Sequence, residues 1–274
     1  MQRTHRGLLA CAVVAALALS VACGGGGAAK EDEAKAAEWN WLTETQQTLI
    51  AKRQELADLK VQQAAAEAME AEAAEGAEAT EGEAGMEVPA EDLAAQIEQL
   101  SGEVEALTEE FGNRLVAYIN ADPMIEGEPP TEQQVQALRM KSGEDIILAQ
   151  EWIERGGDYK RAIEIMTTAL MYDADNPDLK AALAKAEADR YMDETRWAAA
   201  KKGMTEDDVR RVLGQVNLHN IREYPDKDVV AWFYPTAEDG SAAAVWFQPN
   251  KKSGVLEVYQ IKFEAINPGA TEED

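Results

Sequence analysis

Residues 229–235 read VVAWFYP, a run of β-branched and aromatic side chains that ends at a proline. Such a run is typical of a β-strand, because these side chains suit a pleated and half-buried surface. A second run, AAAVWF at 242–247, comes after the pair Asp239-Gly240, which favours a hairpin turn. A third run covers 255–263. We therefore expect these runs to form a meander of antiparallel strands.

Two further patterns complete the predicted sheet. Alternation of period two places Tyr259, Ile261 and Phe263 on one face of the last strand. A weaker strand is expected over 216–221. Since helix-forming segments precede the strands, the order favours an α+β fold, in which helices cover one face of a single antiparallel sheet.

The helix expected directly before the sheet has clear start and stop signals. Thr205 can cap its N-terminus while Asp208 reaches back to the cap, and Gly214 is placed to end it. Val209 and Leu213 would lie on its apolar face. This helix and the strands together predict a compact α+β domain at 191–266.

This domain resembles the SmpA/OmlA family, whose small lipoprotein member BamE belongs to the outer-membrane β-barrel assembly machinery. The residues that carry the resemblance are Gly203-Met204-Thr205, Val209, Leu213-Gly214 and the aromatic runs WFY at 232–234 and VWF at 245–247. Val216 departs from the family, which usually has a proline after the Leu-Gly pair. The resemblance implies a protein-binding domain that acts in the cell envelope.

Aromatic side chains of the predicted strands are the candidates for contact with a protein partner. They are Trp232, Tyr234 and Trp246. A sheet with one exposed face and an open edge can also accept a strand from another protein. Alternation sends some of these aromatic side chains to the helix-covered face, where they would belong to the core.

A helical region is predicted over 131–190. Thr131 and Gln134 have the spacing of a capping box at its start. The segment 157–177, GDYKRAIEIMTTALMYDADNP, resembles the second half of a tetratricopeptide repeat, and Leu179 begins a pattern like that of a following unit. A generic helical hairpin is the alternative. In either case the segment must pack on a neighbour, which we expect to be the domain that follows.

Two apolar seams predict long helices over 31–121, separated by an acidic linker at 76–89. Leu42, Leu49 and Leu56 recur at intervals of seven. The second seam comprises Leu93, Ile97, Leu100, Val104, Leu107, Phe111 and Tyr118. The similar lengths of the two helices favour an antiparallel hairpin within one chain. A parallel coiled coil between chains, and therefore an oligomer, is the alternative.

The N-terminus has the layout of a secretory signal, with two arginines, an apolar run and small residues before a cysteine. The stretch LSVACG at 19–24 resembles a bacterial lipobox. The resemblance implies removal of residues 1–22, acylation of Cys23 with fatty acids such as palmitate, and a glycine-rich tether at 23–30. An ordinary signal peptide is the alternative. Because the residue after the cysteine is glycine rather than aspartate, we expect the outer membrane, with the protein facing the periplasm.

The composition excludes several classes of function. The chain has 52 acidic and 26 basic residues and a net charge of −26, so it repels nucleic acid and anionic lipid surfaces. An acidic tail at 267–274 adds to this charge. His219 is the only histidine after residue 22, which leaves neither a nucleophilic triad nor an imidazole-rich metal site. We therefore expect no enzyme, cofactor or metal.

These patterns predict a lipid-anchored scaffold or adaptor in outer-membrane or envelope assembly. Its partner would be an envelope protein, for which components of the barrel-assembly machinery are the candidates. One alternative is a binding or inhibitor module for a periplasmic protein. Another is a structural spacer that oligomerises through its coiled coil.

Overall fold

The computed structural model describes residues 27–75, 90–125 and 127–268. The protein is α+β, as the sequence predicts. The helices in these ranges are α1 (Gly27–Glu75), α2 (Ala90–Ala121), α3 (Glu132–Gly156), α4 (Tyr159–Ala169), α5 (Pro177–Asp189), α6 (Glu194–Trp197) and α7 (Glu206–Leu213). The strands are β1 (Ile221–Tyr224), β2 (Val229–Pro235), β3 (Ala242–Pro249) and β4 (Leu256–Ile266). The signal segment, the acidic linker and residues 269–274 lie outside the described residues.

Helices α1 and α2 form an antiparallel hairpin within one chain. Lys35 near the start of α1 pairs with Asp122 after α2, at 2.5 Å between Nζ and Oδ2. Further along α1, Lys52 pairs with Glu103 at 2.7 Å, so the partner residues run backward along α2. The apolar seams meet between the helices, where the fully buried side chains are Leu42, Leu49, Phe111 and Leu115. The apolar side chains of both seams are therefore buried against each other in a hairpin within one chain, rather than in a parallel coiled coil between chains.

The helical region α3–α5 begins and turns where its local signals predict. Thr131 and Gln134 form the expected capping box at the start of α3. Gly157 ends α3 in the left-handed conformation, with φ +60°, and Asp158 caps α4. A core of small and apolar side chains holds the three helices together: Ala149, Ala162, Met166, Ala169, Leu179 and Ala186. Arg53 of α1 donates to both carboxylate oxygens of Glu144 in α3, which joins the hairpin to this region.

The four strands form one antiparallel sheet in the order β1-β2-β3-β4. Thr205 and Asp208 make the predicted capping box at the start of α7. This helix, α6 and the segment around them cover one face of the sheet. The core between them includes Met192, Trp197, Ala200, Val209, Leu213, Val216, Trp232, Tyr234, Val245, Phe247 and Val258.

The prediction of a weaker strand over 216–221 is wrong. Residues Leu218–Asn220 form a short 3₁₀ helix, and the strand begins only at Ile221. The cause is local, because the side-chain oxygen of Asn217 accepts a hydrogen bond from the backbone N–H of His219 at 2.9 Å. Such a bond stabilises a turn at the expense of an extended strand.

The last strand is bulged, which corrects the face assigned to Tyr259. Trp246 pairs with Gln260 and Phe247 pairs with Val258, so one extra residue of β4 lies between these pairs. Beyond the bulge, Ile261 and Phe263 pack on the helix-covered core as expected, but it is Val258 that joins them there. Tyr259 is 37% exposed. Period-two alternation fails here because a bulge shifts the two-residue repeat.

Candidate functional site

Two of the three aromatic side chains predicted to contact a partner lie in the core. Trp232 is 1% exposed and Tyr234 is 5% exposed. The Tyr234 ring meets Trp197 edge to face at 6.2 Å, and Trp232 packs on Phe247 at 4.7 Å. The Tyr234 hydroxyl donates to the carbonyl of Gly214 at 3.2 Å, and burial raises the pKa of this hydroxyl. These two residues hold the covering helices on the sheet and present no surface to a partner.

The third candidate, Trp246, lies on the opposite face of the sheet and is half-buried. Its ring meets Phe233 edge to face, with 6.3 Å between the centroids and 77° between the planes. The floor beneath them consists of Ala231, Ala242 and Ala244. All members of this cluster belong to the strands, and no helix among the described residues contributes to it. We call this surface the open face, comprising Arg222, Ala231, Phe233, Ala242, Ala244, Trp246 and Lys262.

Two cationic residues belong to the open face. The Arg222 guanidinium lies 4.9 Å from the centroid of the Phe233 ring, within the range of a cation–π contact. Lys262 pairs in register with Ala244, which places it on the same face, and it is exposed. The open face thus combines aromatic rings and positive charge in a chain of net charge −26.

Phe233, Arg222 and Lys262 were not among the predicted site residues, although part of the signal is in the sequence. In an antiparallel pair the residue numbers of the two partners have a constant sum. A hairpin turn centred between Asp239 and Gly240 makes this sum odd, so even-numbered residues of β3 pair with odd-numbered residues of β2. The observed register, with Trp246 opposite Ala231, has this parity. Trp246 therefore lies on the same face of the sheet as Phe233, whereas Trp232 lies on the other face.

The outer edge of β4 is covered over its first residues and open beyond them. The N–H of Gly203 donates to the carbonyl of Val258, and the N–H of Val258 donates to the carbonyl of Met204, both at 2.8 Å. After Val258, no strand in the described part of the chain pairs with the outer side of β4. The pairing of β4 with β3 shifts register at two places, between Ala242 and Ala244 and between Trp246 and Phe247, and these shifts interrupt the edge. Bulges of this kind discourage strand addition, which makes the open face the better candidate surface.

A close backbone contact joins the helical region to the sheet domain. Gly157, between α3 and α4, packs against residues 215–217, which follow α7. A Cβ atom at this position would lie 2.5 Å from the carbonyl oxygen of Gln215 and 2.6 Å from the nitrogen of Asn217. The helical region therefore packs on the domain that follows it, as we expected.

The described residues contain no group of three or more His, Cys, Asp or Glu that could hold a metal ion. The acidic turn at 173–178 has a structural role. Both Ser142 and Asn176 donate to Oδ2 of Asp173, at 2.8 Å and 2.7 Å. These buried hydrogen bonds tie the turn before α5 to the middle of α3.

Cys23, the predicted site of lipid attachment, lies outside the described residues. None of the helices in the described ranges is long and apolar enough to cross a membrane. No protein-family model, curated protein or solved structure matches the chain. The resemblance to the SmpA/OmlA family and to tetratricopeptide repeats therefore stays a prediction from the sequence.

Proposed function

We propose that this protein is a lipid-anchored scaffold or adaptor of the bacterial outer membrane, which faces the periplasm and binds an envelope protein through its open face. The observation that supports this proposal best is the composition of that face. It joins the half-buried Trp246, whose ring rests against the buried Phe233, to the exposed cations Arg222 and Lys262 above a floor of buried alanines.

The chemistry of the open face indicates what kind of segment it takes. Tryptophan and arginine are the side chains that most often carry binding energy in protein interfaces. The alanines beneath them are already buried, so the surface open to a partner is formed by Trp246, Arg222 and Lys262. Because Arg222 and Lys262 are cations, the partner segment should combine apolar and acidic side chains. Most of the remaining surface of this acidic chain would repel such a segment, which favours a single orientation of binding.

The antiparallel hairpin affects where the anchor would hold the sheet domain. Helix α1 has 49 residues, which at roughly 1.5 Å per residue span ~74 Å. Its first residue, Gly27, follows Cys23 by four positions, and Lys35 lies beside Asp122 at the end of α2. The end of α2 that leads into α3 is therefore the end nearest the anchor. A lipid on Cys23 would therefore hold the start of α3 near the membrane. Helix α3 runs away from that end, since its Glu144 pairs with Arg53 of α1, and its 25 residues place Gly157 and the sheet domain that contacts it roughly 38 Å farther out.

The two alternative functions differ in their support. An oligomeric spacer would need the apolar seam of α1 for another chain, but α2 of the same chain covers Leu42 and Leu49 completely. An inhibitor or binding module for a soluble periplasmic protein would use the same open face as a scaffold. The identity of the bound partner distinguishes these two functions.

Affinity capture from crosslinked envelopes tests the proposal. The full chain should recover a component of the barrel-assembly machinery, and the double variant Arg222→Glu/Lys262→Glu should lose it. The matched control is Lys251→Glu/Lys252→Glu, which changes the charge equally in the exposed turn between β3 and β4. This control should capture as the wild type does. Recovery of a soluble periplasmic protein alone would support the inhibitor module. Equal capture by both double variants would refute binding of the partner through the open face.

The anchor has a separate test. Replacement of Cys23 with serine removes the thiol that acylation requires, so the protein should move from the membrane fraction to the soluble periplasmic fraction. Fractionation followed by immunoblotting measures this. A Cys23→Ser protein that stays with the membrane would contradict the lipid anchor but not the partner-binding role of the open face.

A further inference from the structure

We infer that the acidic tail at 267–274 folds back over the open face of its own chain and competes there with a partner. This inference rests on the proposed function, because it concerns the regulation of the same surface. Three observations support the contact: the place where β4 ends, the distance from there to the cations of the open face, and the charges on both sides.

Strand β4 leaves the sheet beside the open face. Its last residue, Ile266, pairs with Ala242 and packs against the cluster of alanines and phenylalanine on that face. Beyond the strand, Pro268 lies near the turn between β2 and β3, since a Cβ atom on Gly240 would lie 3.7 Å from the Cγ atom of Pro268. The tail therefore begins at the end of the sheet where this turn lies, next to the open face.

The cations of the open face lie close to this end of the sheet. Phe233, Ala244 and Lys262 form one row across β2, β3 and β4. The Arg222 guanidinium lies 4.9 Å from the centroid of the Phe233 ring, so its charge belongs to the same row. Along β3 this row is only two residues, or about 7 Å, from the row that contains Ile266. Both positive charges therefore lie near the point where the tail begins.

The tail is long enough to reach both cations. The six residues after Pro268 span up to ~20 Å when they are extended. Phe233 and Lys262 are two strands apart, which is about 10 Å across the sheet. Glu272 and Asp274 would lie about 7 Å apart on one side of an extended segment. Their side chains and that of Lys262 are flexible enough to cover the remaining difference.

The charges on both sides favour the contact. Residues 272–274 are all acidic, and the tail has no basic residue. Arg222 and Lys262 are exposed, and neither forms an ion pair among the described residues. Even the exposed Glu264, two residues from Lys262 in β4, does not pair with it. The tail also lacks a large apolar side chain, so a partner that packs on Trp246 as well as on the cations displaces it.

Carbodiimide cross-linking of the full chain, in one detergent throughout and followed by mass spectrometry, tests the contact without any partner. The reagent joins a carboxylate to a neighbouring amine. It should join Lys262 to residues 272–274 at least about threefold more often than it joins Lys252, which is exposed in the turn at the opposite end of the sheet. A mixture of isotope-labelled and unlabelled protein separates links within one chain from links between two chains. Equal linking of the two lysines, or links mainly between chains, would overturn the inference.

The variant Arg222→Glu distinguishes a docked tail from a tethered tail that meets Lys262 by chance. Arg222 belongs to β1, at the other edge of the sheet, so its replacement lowers the number of Lys262 links only if the tail contacts both cations together. We expect a fall of about twofold to fivefold, which is the effect of one exposed ion pair. Lys227→Glu is the matched control, because Lys227 is exposed between β1 and β2, and it should leave the links unchanged. Links that Arg222→Glu leaves unchanged, or that both variants lower equally, would contradict docking on the open face.

Neutralisation of the tail separates failure of this inference from failure of the proposed function. The variant Glu272→Gln/Glu273→Gln/Asp274→Asn should raise the capture of the envelope partner by about twofold to tenfold, because a face that is covered part of the time binds a partner more weakly in proportion. Lys262 links without any captured partner would refute the proposed function and support the tail contact. Capture through the open face without these links, or capture that the neutral tail does not increase, would overturn the tail contact and leave the proposed function standing.

Discussion

Replacement of Gly157 with alanine is a sharp test of the contact between the helical region and the sheet domain. Gly157 has φ +60°, and its Cα faces the backbone of the segment that follows α7. An added Cβ would lie 2.5 Å from the carbonyl oxygen of Gln215 and 2.6 Å from the carbonyl carbon of Val216. Backbone atoms cannot rotate away as the end of a side chain can, so the two parts of the protein must separate.

The expected loss of stability follows from two contributions. A left-handed backbone costs a residue with a Cβ about 1–2 kcal/mol. Ordinary carbon contacts are about 3.5–4.0 Å, so the neighbouring backbone would have to retreat by roughly 1 Å, and forced overpacking of this kind costs about 1–3 kcal/mol. The sum is a loss of about 2–5 kcal/mol in the free energy of unfolding.

Two other glycines provide matched controls. Gly203 also has positive φ, +86°, but a Cβ there would meet no atom within 4 Å. Gly203→Ala should therefore lose only the conformational contribution, about 1–2 kcal/mol. Gly156 is the last residue of α3 and has open space around it. Gly156→Ala should change stability little or raise it by up to about 1 kcal/mol, because alanine favours helix.

Urea unfolding of the full chain and its three variants, followed by tryptophan fluorescence and far-ultraviolet circular dichroism, measures these differences. Trp197 lies in the core of the sheet domain and reports on it directly. If Gly157→Ala loses no more stability than Gly203→Ala, the close approach of the two backbones is refuted. A loss of similar size in Gly156→Ala would show instead that any side chain added at the end of α3 is harmful.

Three further predictions concern the hairpin and the helix caps. Arg114 donates to both oxygens of Glu38, which holds the pKa of that carboxyl below its usual 4.5. The ion pair therefore stabilises the folded protein above pH 4.5, and this stabilisation is lost as the pH falls through the lowered pKa. Glu38→Gln should lower the free energy of unfolding by up to about 1 kcal/mol at neutral pH and leave it unchanged in strong acid. Urea unfolding at a series of pH values measures this difference. Thr205→Ala should cost about 1 kcal/mol through loss of the cap of α7, measured in the same way. Leu49→Ala should lower the free energy of unfolding by about 2–5 kcal/mol. Ile50→Ala, at a position 60% exposed, should stay within about 0.5 kcal/mol of the wild type in the same assay. Equal losses in the two variants would contradict the packing of the hairpin.

Features that depend on neighbouring residues were predictable. The capping boxes at Thr131 and Thr205 form as their spacing indicates, because the bonds involved join residues three apart. The apolar seam of α2 predicts a helix with one buried stripe, and Phe111 lies at its centre, fully buried. Leu115 continues the same stripe and was the one fully buried member that the seam omitted.

Local competition explains where the strand prediction failed. The apolar residues Val216 and Ile221 suggested one continuous strand, but the side chain of Asn217 stabilises a turn between them. The bulge near Tyr259 is a similar case. Its position depends on the pairing of β4 with β3, and a repeat read along one strand contains no information about that pairing.

The sequence by itself determined the fold class, the starts of α3 and α7 and the two faces of β2 and β3, because these follow from caps and from periods of 3.6 and two residues. Only the tertiary structure decided which face the helices cover, and with it that Trp232 and Tyr234 are core while Trp246 belongs to the open face. The physical reason is that burial depends on contacts between residues distant in the chain. At Gly157 such a contact requires two backbones to approach more closely than any side chain would allow.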